Sequence, residues 1–373
     1  MKLKLITVVG TRPELIRLSC ILSKLDENFN HILVNTNQNF DKNLNNIFFK
    51  QLKIKKPKYN FKIENKNSSI NFIGKLLIKF DDVIKKENPD ALLVLGDTNS
   101  ALSALCAKKN KIPVFHMEAG NRCFDDRVPE EVNRRIVDHF SDINLTYSNY
   151  ASENLQREGL RKDRIIKVGS PLMEVYDKYK MQIEKNNILN KLNLSKNNYI
   201  LASIHREENV SIHANVKKIL EGIYRIKKDL KVPIIFSTHP RTKSILKKID
   251  LNIKKEINFL KPFGFFEFAK LLKNAKLTIS DSGSITEEAS ILSIPTVNLR
   301  STNERQEGME FGISIMSGLS PDSIFNSYKM SMKNKEVVKN YPDYSNLSVS
   351  NTVSTIIQSY THYINEKVWF KKN

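Results

Sequence analysis

The 373-residue chain has only three cysteines, Cys20, Cys106 and Cys123, widely spaced and with no C-x-x-C pair among them. That excludes a zinc ribbon or a disulfide scaffold and makes a reducing cytosol the simplest setting. Long apolar runs are missing as well. The N-terminal stretch MKLKLITVVGTRPE offers about six apolar residues before a turn, too few for a signal peptide and far below the roughly 20 of a membrane span. It reads as a buried first strand, and no membrane insertion is expected. Neither G-x-x-x-x-G-K-[ST] nor G-x-G-x-x-G occurs, so NTP hydrolysis and nicotinamide chemistry lose support. H-E-x-x-H and D-x-D are also absent, so no metal site stands out. No repeat at a solenoid period is present.

Arginine is scarce in a chain that is otherwise strongly basic. There are 60 Lys and Arg against 40 Asp and Glu, a net charge of +20, yet only 14 of the 60 are Arg, and none lies between Arg17 and Arg122. The charge raises the question of a nucleic-acid partner. The lysines, however, are dispersed and often sit beside Asn, as in Lys53–Lys66 and Lys185–Asn198, the pattern of a solvated surface. Arg12, Arg17, Arg122, Arg127, Arg134, Arg135, Arg206, Arg241, Arg300 and Arg305 instead fall in or beside the motifs described below. The balance favours a diffuse Lys coat around an Arg-lined site for a small anion, with no nucleic-acid partner.

Length favours two domains, and the composition, 40% hydrophobic and 27% charged, is that of a globular protein. Short apolar runs alternate with amphipathic stretches. Strands are predicted at Leu3–Val9, His31–Asn35, Ala91–Leu95, Pro113–His116 and Ile143–Thr146. Helices are predicted at Pro13–Leu25, Asp41–Leu52, Ser69–Lys86, Ser100–Lys108 and Pro129–His139. After Gly169 the alternation restarts. Strands follow at Tyr199–Ile204, Pro233–Ser237, Ile257–Leu260, Leu277–Ser280 and Thr296–Asn298. Helices follow at Asn215–Asp229, Thr242–Ile249, Phe265–Asn274, Ile285–Leu292 and Val353–Trp369. Such alternation implies parallel sheets with right-handed crossovers. The fold class is therefore α/β, with two Rossmann-like doubly wound domains at 1–169 and 170–352 and a C-terminal helix, about 353–373, packing back on the first. Ile183–Lys196 and Lys333–Asn351 read as solvated connectors.

In open α/β sheets ligands bind at the carboxyl ends of strands. In the first domain Gly10-Thr11-Arg12-Pro13-Glu14 opens a helix whose N-terminus, with Arg12 and Arg17, suits an anion. Asp97 after its strand is either a helix N-cap or a catalytic carboxylate. Glu118 follows a buried strand and precedes Gly120 and Arg122. Glu130, in Pro129-Glu130-Glu131, fits an ordinary helix start. The coincidence of Asp97, Glu118 and Glu130 at strand or helix ends on one side of a sheet suits proton abstraction and return. The second domain adds His205 and Arg206 after one strand, His239 and Arg241 after another, and the small-residue turn Ser282-Gly283-Ser284, whose amides can cradle a diphosphate. Glu288 lies one turn into the next helix, and Arg305 lies in an Arg-rich loop after the last strand.

Taken together, GTRPE, LGDTNS, HMEAGNR, PEEVNR, IHREEN, THPRT and DSGSITEE resemble the non-hydrolysing UDP-N-acetylglucosamine 2-epimerase family across nearly the whole chain. The resemblance implies a glycosyltransferase-B-like fold with the active site in the interdomain cleft. It implies anti elimination of UDP to a 2-acetamidoglycal and re-addition with inversion at C2, without NAD or another cofactor. Asp97, Glu118, Glu130 and His205 match its catalytic positions. Arg12, Arg17, Ser282, Gly283 and Ser284 match its diphosphate positions, and Glu288 its ribose position; Arg122, His239, Arg241 and Arg305 complete the candidate substrate-binding set. HMEAGNRCFDDRVPEEVNRRIVDH is most similar to the UDP-N-acetyl-L-fucosamine synthase branch, which serves surface polysaccharide synthesis. The same resemblance suggests a homodimer. The chain departs from the family pattern at Gln306, where the loop often has Pro, at Arg17, where Lys is common, and at Asn39, where a His follows Gln38 in enzymes activated by a second nucleotide sugar. A glycosyltransferase of the same build is the competing reading.

Overall fold

The computed structural model describes residues 2–38, 48–63, 68–249, 252–333 and 341–371. The chain forms two compact units, one of residues Met1–Lys178 with Ser345–Asn373 and the other of residues Tyr179–Tyr344.

The first unit is built on a seven-stranded sheet, with strands β1 (Lys4–Val9), β2 (Asn30–Asn35), β3 (Tyr59–Asn60), β4 (Ala91–Leu95), β5 (Val114–Ala119), β6 (Ile143–Thr146) and β7 (Ile165–Lys167). Their spatial order is β3-β2-β1-β4-β5-β6-β7, and every pairing is parallel. Buried on both faces, β4 is an unbroken apolar run and β1 a nearly unbroken one rather than an alternating pattern, whereas β5 carries His116 and Glu118 among its apolar residues. β1 lies between β2 and β4, so the chain's winding direction reverses there, and the carboxyl ends of β1 and β4 are where open α/β sheets of this kind take their ligands. Helices cover both faces. The helix Arg12–Asn28 begins with Thr11 at its N-cap and Pro13 in its first turn, where a missing N–H costs nothing. It packs against the C-terminal helix Val349–Lys367, where Asn28 Nδ2 donates to Ser354 Oγ at 2.8 Å.

The second unit repeats the plan with β8 (Ile200–Ile204), β9 (Ile234–Thr238), β10 (Asn258–Leu260), β11 (Leu277–Ser280), β12 (Thr296–Asn298) and β13 (Ile315–Met316). The order is β10-β9-β8-β11-β12-β13, again all parallel, with the reversal at β8 and β11.

The predicted strands lie within two residues of the observed ones at most ends, and Ala91–Leu95, Ile143–Thr146, Leu277–Ser280 and Thr296–Asn298 coincide. Asn39 and residues 41–47 of the predicted helix Asp41–Leu52 lie outside the described residues, as do residues 334–340 of the second predicted connector. Ile183–Lys196 is not a simple solvated connector. It contains the end of the helix Lys180–Glu184 and the helix Ile188–Lys191, each sinking one isoleucine, Ile183 and Ile188, into the core. The helix Pro321–Lys333 was not anticipated; its Ile324 occupies the space left by Gly222, where a Cβ would stand 3.0 Å from it.

Candidate active site

In the first unit the turn after β1 is drawn tight. A Cβ on Gly10 would stand 2.1 Å from Ser100 Oγ and 2.4 Å from Thr36 Oγ1. Glu14, in the first helical turn, curls back over it. Its Oε2 accepts from the amides of Gly10 at 2.5 Å and Thr11 at 2.9 Å. Its Oε1 accepts from Thr98 Oγ1, after β4, at 2.6 Å. One buried carboxylate thus ties the ends of β1 and β4 together. Burial pushes it up to about 7, against those three hydrogen bonds and with the charge of Asp97 adding to the rise. Arg12 lies 5.7 Å over the Phe48 ring.

Glu118 stands where β5 breaks register, between Met117 and Ala119, with φ +63°. A left-handed conformation at a residue with a Cβ costs on the order of 1 kcal/mol; here the bulge turns the carboxylate out of the sheet and over the end of β4. A Cβ on Gly96 would lie 3.8 Å from Glu118 Oε2, and Arg17 Nε lies 3.7 Å from the same oxygen. Arg17 also stands 5.7 Å over the Tyr147 ring. Asp97, beside Gly96, is gripped by Arg134, whose Nη2 and Nε approach Oδ2 at 2.5 and 3.0 Å.

Arg134 lies on the helix Pro129–Phe140. Glu130, on the first turn of that helix, is exposed, whereas Glu131 turns inward and is fully buried. Glu131 accepts from the amides of Cys123 and Phe124 at 3.0 and 3.1 Å and from Arg134 Nη1 at 2.9 Å. Burial would raise its pKa, but these amides and Arg134 outweigh it and hold the carboxyl below the usual range. Arg122 is fully buried, bonded to Asp138 at 2.7 Å and in a fork to Glu158 at 2.7 and 2.6 Å. Its guanidinium holds loop to helix inside this unit.

In the second unit Asp281, at the end of β11, is fully buried and caps the turn after β8. It accepts from the amides of His205 and Arg206, each at 3.0 Å, and from Asn209 Nδ2 at 3.0 Å. The half-exposed His205 ring has Nδ1 3.3 Å from Asp281 Oδ1, and its centroid is 6.0 Å from that of His239. Ser282 and Ser284 share a hydroxyl contact of 3.0 Å, and Ser284 Oγ donates to Glu288 at 3.0 Å. Over Gly283 lies Glu304. A Cβ there would be 2.2 Å from its Oε1, and Arg206 Nη2 and Arg300 Nη1 hold its carboxylate at 3.3 and 2.6 Å. Arg305 is fully buried and paired with Glu287. The side chain of Arg241 lies outside the described residues.

The structure thus brings Arg17, Asp97 and Glu118 to the adjacent ends of β4, β5 and the first helix. It brings His205, His239, Ser282, Gly283, Ser284 and Glu288 to the ends of β8, β9 and β11. Glu14, Glu131, Arg134, Asp281 and Glu304, which lie in or beside the sequence motifs but carry no assigned role there, organise these two groups. Among the described residues no cluster of three or more His, Cys, Asp or Glu is arranged to hold a metal ion, and no helix is long and apolar enough to cross a membrane.

Two parallel α/β units, each carrying polar residues at its winding reversal, have the form of a glycosyltransferase-B-like nucleotide-sugar enzyme. The profile of the UDP-N-acetylglucosamine 2-epimerase family matches residues 23–359. The chain is 44% identical to the UDP-N-acetylglucosamine 2-epimerase of Rickettsia bellii, with each chain covered in full and a TM-score of 0.91. It is 37% identical to the Methanocaldococcus jannaschii UDP-GlcNAc 2-epimerase solved with UDP-GlcNAc and UDP, over 95% of this chain and 99% of that one, with a TM-score of 0.88. The UDP-2,3-diacetamido-2,3-dideoxy-D-glucuronate 2-epimerase of Pseudomonas aeruginosa is 33% identical over 335 residues, 88% of this chain and 92% of that one. The chain belongs to the UDP-N-acetylglucosamine 2-epimerase family. It is an isomerase with activity of the UDP-GlcNAc 2-epimerase type.

Proposed function

We propose that the chain inverts C2 of a UDP-2-acetamido sugar without net hydrolysis. A carboxylate of the first unit removes the C2 proton while the C1–O bond to UDP breaks anti to it. The products are a 2-acetamidoglycal with a C1=C2 double bond and free UDP. UDP then re-adds at C1 as a second acidic group returns a proton to the opposite face of C2. C–H and C–O bonds break and re-form with no net oxidation, so this sequence needs no redox cofactor. Two differently placed carboxyl groups suit one base and one acid.

The observation that carries this reading is the pair Asp97 and Glu118 on adjacent strand ends, each against an arginine. Glu130 is the third carboxylate of the set. In the second unit the Ser282-Gly283-Ser284 amides at the helix Ile285–Leu292 receive the diphosphate, and Glu288 the ribose. His205, backed by Asp281, steadies the departing phosphate. Arg12 and Arg17 add cationic recognition, which Arg performs by fork geometry.

For the sugar, we favour UDP-2-acetamido-2,6-dideoxy-L-talose, converted to UDP-N-acetyl-L-fucosamine. The wording of residues 116–139 and the short segment from Glu118 to Glu130 support this. UDP-GlcNAc interconverting with UDP-ManNAc is the second reading, favoured by the names of the relatives at 44% and 37% identity. Side-by-side kinetics on the two sugars decide between them. The first reading expects the larger kcat/KM on the 6-deoxy-L-talo substrate, and a preference for UDP-GlcNAc overturns it.

A further inference from the structure

We propose that Asp138 and His116 are positioning residues for Glu118, acting through the backbone of the bulge that carries it. This rests on the epimerase reading above, in which Glu118 is one of the carboxylates that serve proton transfer at C2.

Asp138 and His116 are both fully buried, and what they touch flanks Glu118 on every side. Asp138 accepts from the Gly120 amide at 3.3 and 3.2 Å, two residues after Glu118. It accepts from Arg122 Nη1 at 2.7 Å, four residues after, while that same Nη1 donates to the Asn121 carbonyl at 2.7 Å. Its Oδ1 stands 2.9 Å from Nδ1 of His116, two residues before Glu118. The far nitrogen of His116, Nε2, donates to the Gly96 carbonyl at 2.8 Å. Gly96 is the residue over which the Glu118 carboxylate lies and the one preceding Asp97.

One carboxylate on the helix Pro129–Phe140 therefore fixes residues 116, 120 and 122, and through His116 the strand end bearing Asp97. Without such a frame a glutamate at φ +63° would relax toward the extended region, and its carboxylate would leave the end of β4. Asp138 is held in its charged form. Burial opposes that, but His116 and Arg122 together outweigh burial and keep its carboxyl below the usual range. A network that merely filled the core would have no reason to place each contact beside one strained residue.

The test uses the full chain and three variants, Asp138→Asn, His116→Phe and His116→Gln. The substrate is whichever of the two UDP sugars the wild type turns over. Asp138→Asn keeps an acceptor for the Gly120 amide but drops the charge facing Arg122 and His116. His116→Phe fills the ring space with no donor, whereas His116→Gln restores one. Displacing a reacting group by about 1 Å costs on the order of 100-fold. Asp138→Asn and His116→Phe are therefore expected to lose roughly 100-fold in kcat with KM and UDP affinity within about threefold, the split expected when transition-state contacts alone are lost. His116→Gln is expected to recover part of the loss. The proposal is overturned if either severe variant keeps kcat near wild type, or if kcat falls only in step with UDP affinity. If Asp138→Asn does not fold, the comparison of His116→Gln with His116→Phe decides in the same way. A wild-type protein that turns over neither sugar contradicts the epimerase reading, and this proposal falls with it. An active wild type with unaffected variants contradicts the positioning role alone.

Discussion

Arg134 approaches a single oxygen of Asp97, Oδ2, with two guanidinium nitrogens, Nη2 at 2.5 Å and Nε at 3.0 Å, while its Nη1 holds the buried Glu131 at 2.9 Å. Asp97 is aimed by a side chain that is itself braced. Arg134→Lys keeps the charge but cannot make both sets of bonds. It is expected to lower kcat by at least about tenfold, with UDP affinity measured by calorimetry unchanged. Arg134→Ala also strips a partner from a buried carboxylate and is expected to lose about 3 kcal/mol of stability; equal unfolding midpoints for the two variants would contradict this.

Two glycines should respond in opposite directions. Gly120 has φ +80°, and a Cβ there would lie 2.1 Å from the Ala151 carbonyl oxygen, backbone that cannot swing aside. Gly120→Ala is expected to cost about 3 kcal/mol or more, from strain and overpacking together. Gly74, on the exposed side of the helix Ser69–Glu87, has nothing within 4 Å of its Cβ position. Gly74→Ala is expected to stabilise by roughly 0.5–1 kcal/mol. Thermal unfolding of both variants checks the sign of each.

Glu14 gives the protein a pH dependence whose direction is fixed. Its carboxyl sits at about 7 in the folded chain, against the usual 4.5. Between those values the folded state retains a proton that the unfolded chain has lost. Its contribution to stability is therefore full below pH 4.5 and shrinks as pH rises through 7. The total is on the order of 3 kcal/mol. Glu14→Gln preserves an acceptor for the Gly10 and Thr11 amides and presents a donor to Thr98. Denaturant unfolding of this variant should show a flatter stability profile from pH 5 to 8 and a relative gain at pH 8. A slope equal to that of the wild type would contradict the assignment.

In the second unit the Tyr344 hydroxyl donates to Glu307, whose carboxyl is raised by burial, beside the Arg305–Glu287 pair. Tyr344→Phe leaves that oxygen short of a donor in a dry interior. The expected cost is about 1–3 kcal/mol, read as a lower melting temperature with UDP affinity retained.

The parallel strands were legible because burial on both faces leaves short, mainly apolar runs, and most candidate residues were legible because they lie at or just after the ends of those runs. Edge strands β3 and β13, of two residues each, are too short to carry a period. The helices at Lys180–Glu184 and Ile188–Lys191 hide in a Lys/Asn-rich stretch because each buries a single isoleucine. At Pro129-Glu130-Glu131, sequence cannot tell which glutamate turns inward; the helix phase buries Glu131 and exposes Glu130. Buried carboxylates from helices, Asp138 and Glu287, engage Arg122 and Arg305, pairings between residues distant in sequence that exist only in the fold.

The central claim is that the C2 proton leaves and returns during turnover. Proton NMR of the wild-type reaction in deuterated water, run with UDP-GlcNAc and with UDP-2-acetamido-2,6-dideoxy-L-talose, tests it directly. The C2–H signal of one substrate is expected to be replaced by deuterium in both epimers, with traces of free UDP. Epimerisation without deuterium at C2, or no exchange with either sugar, would contradict it.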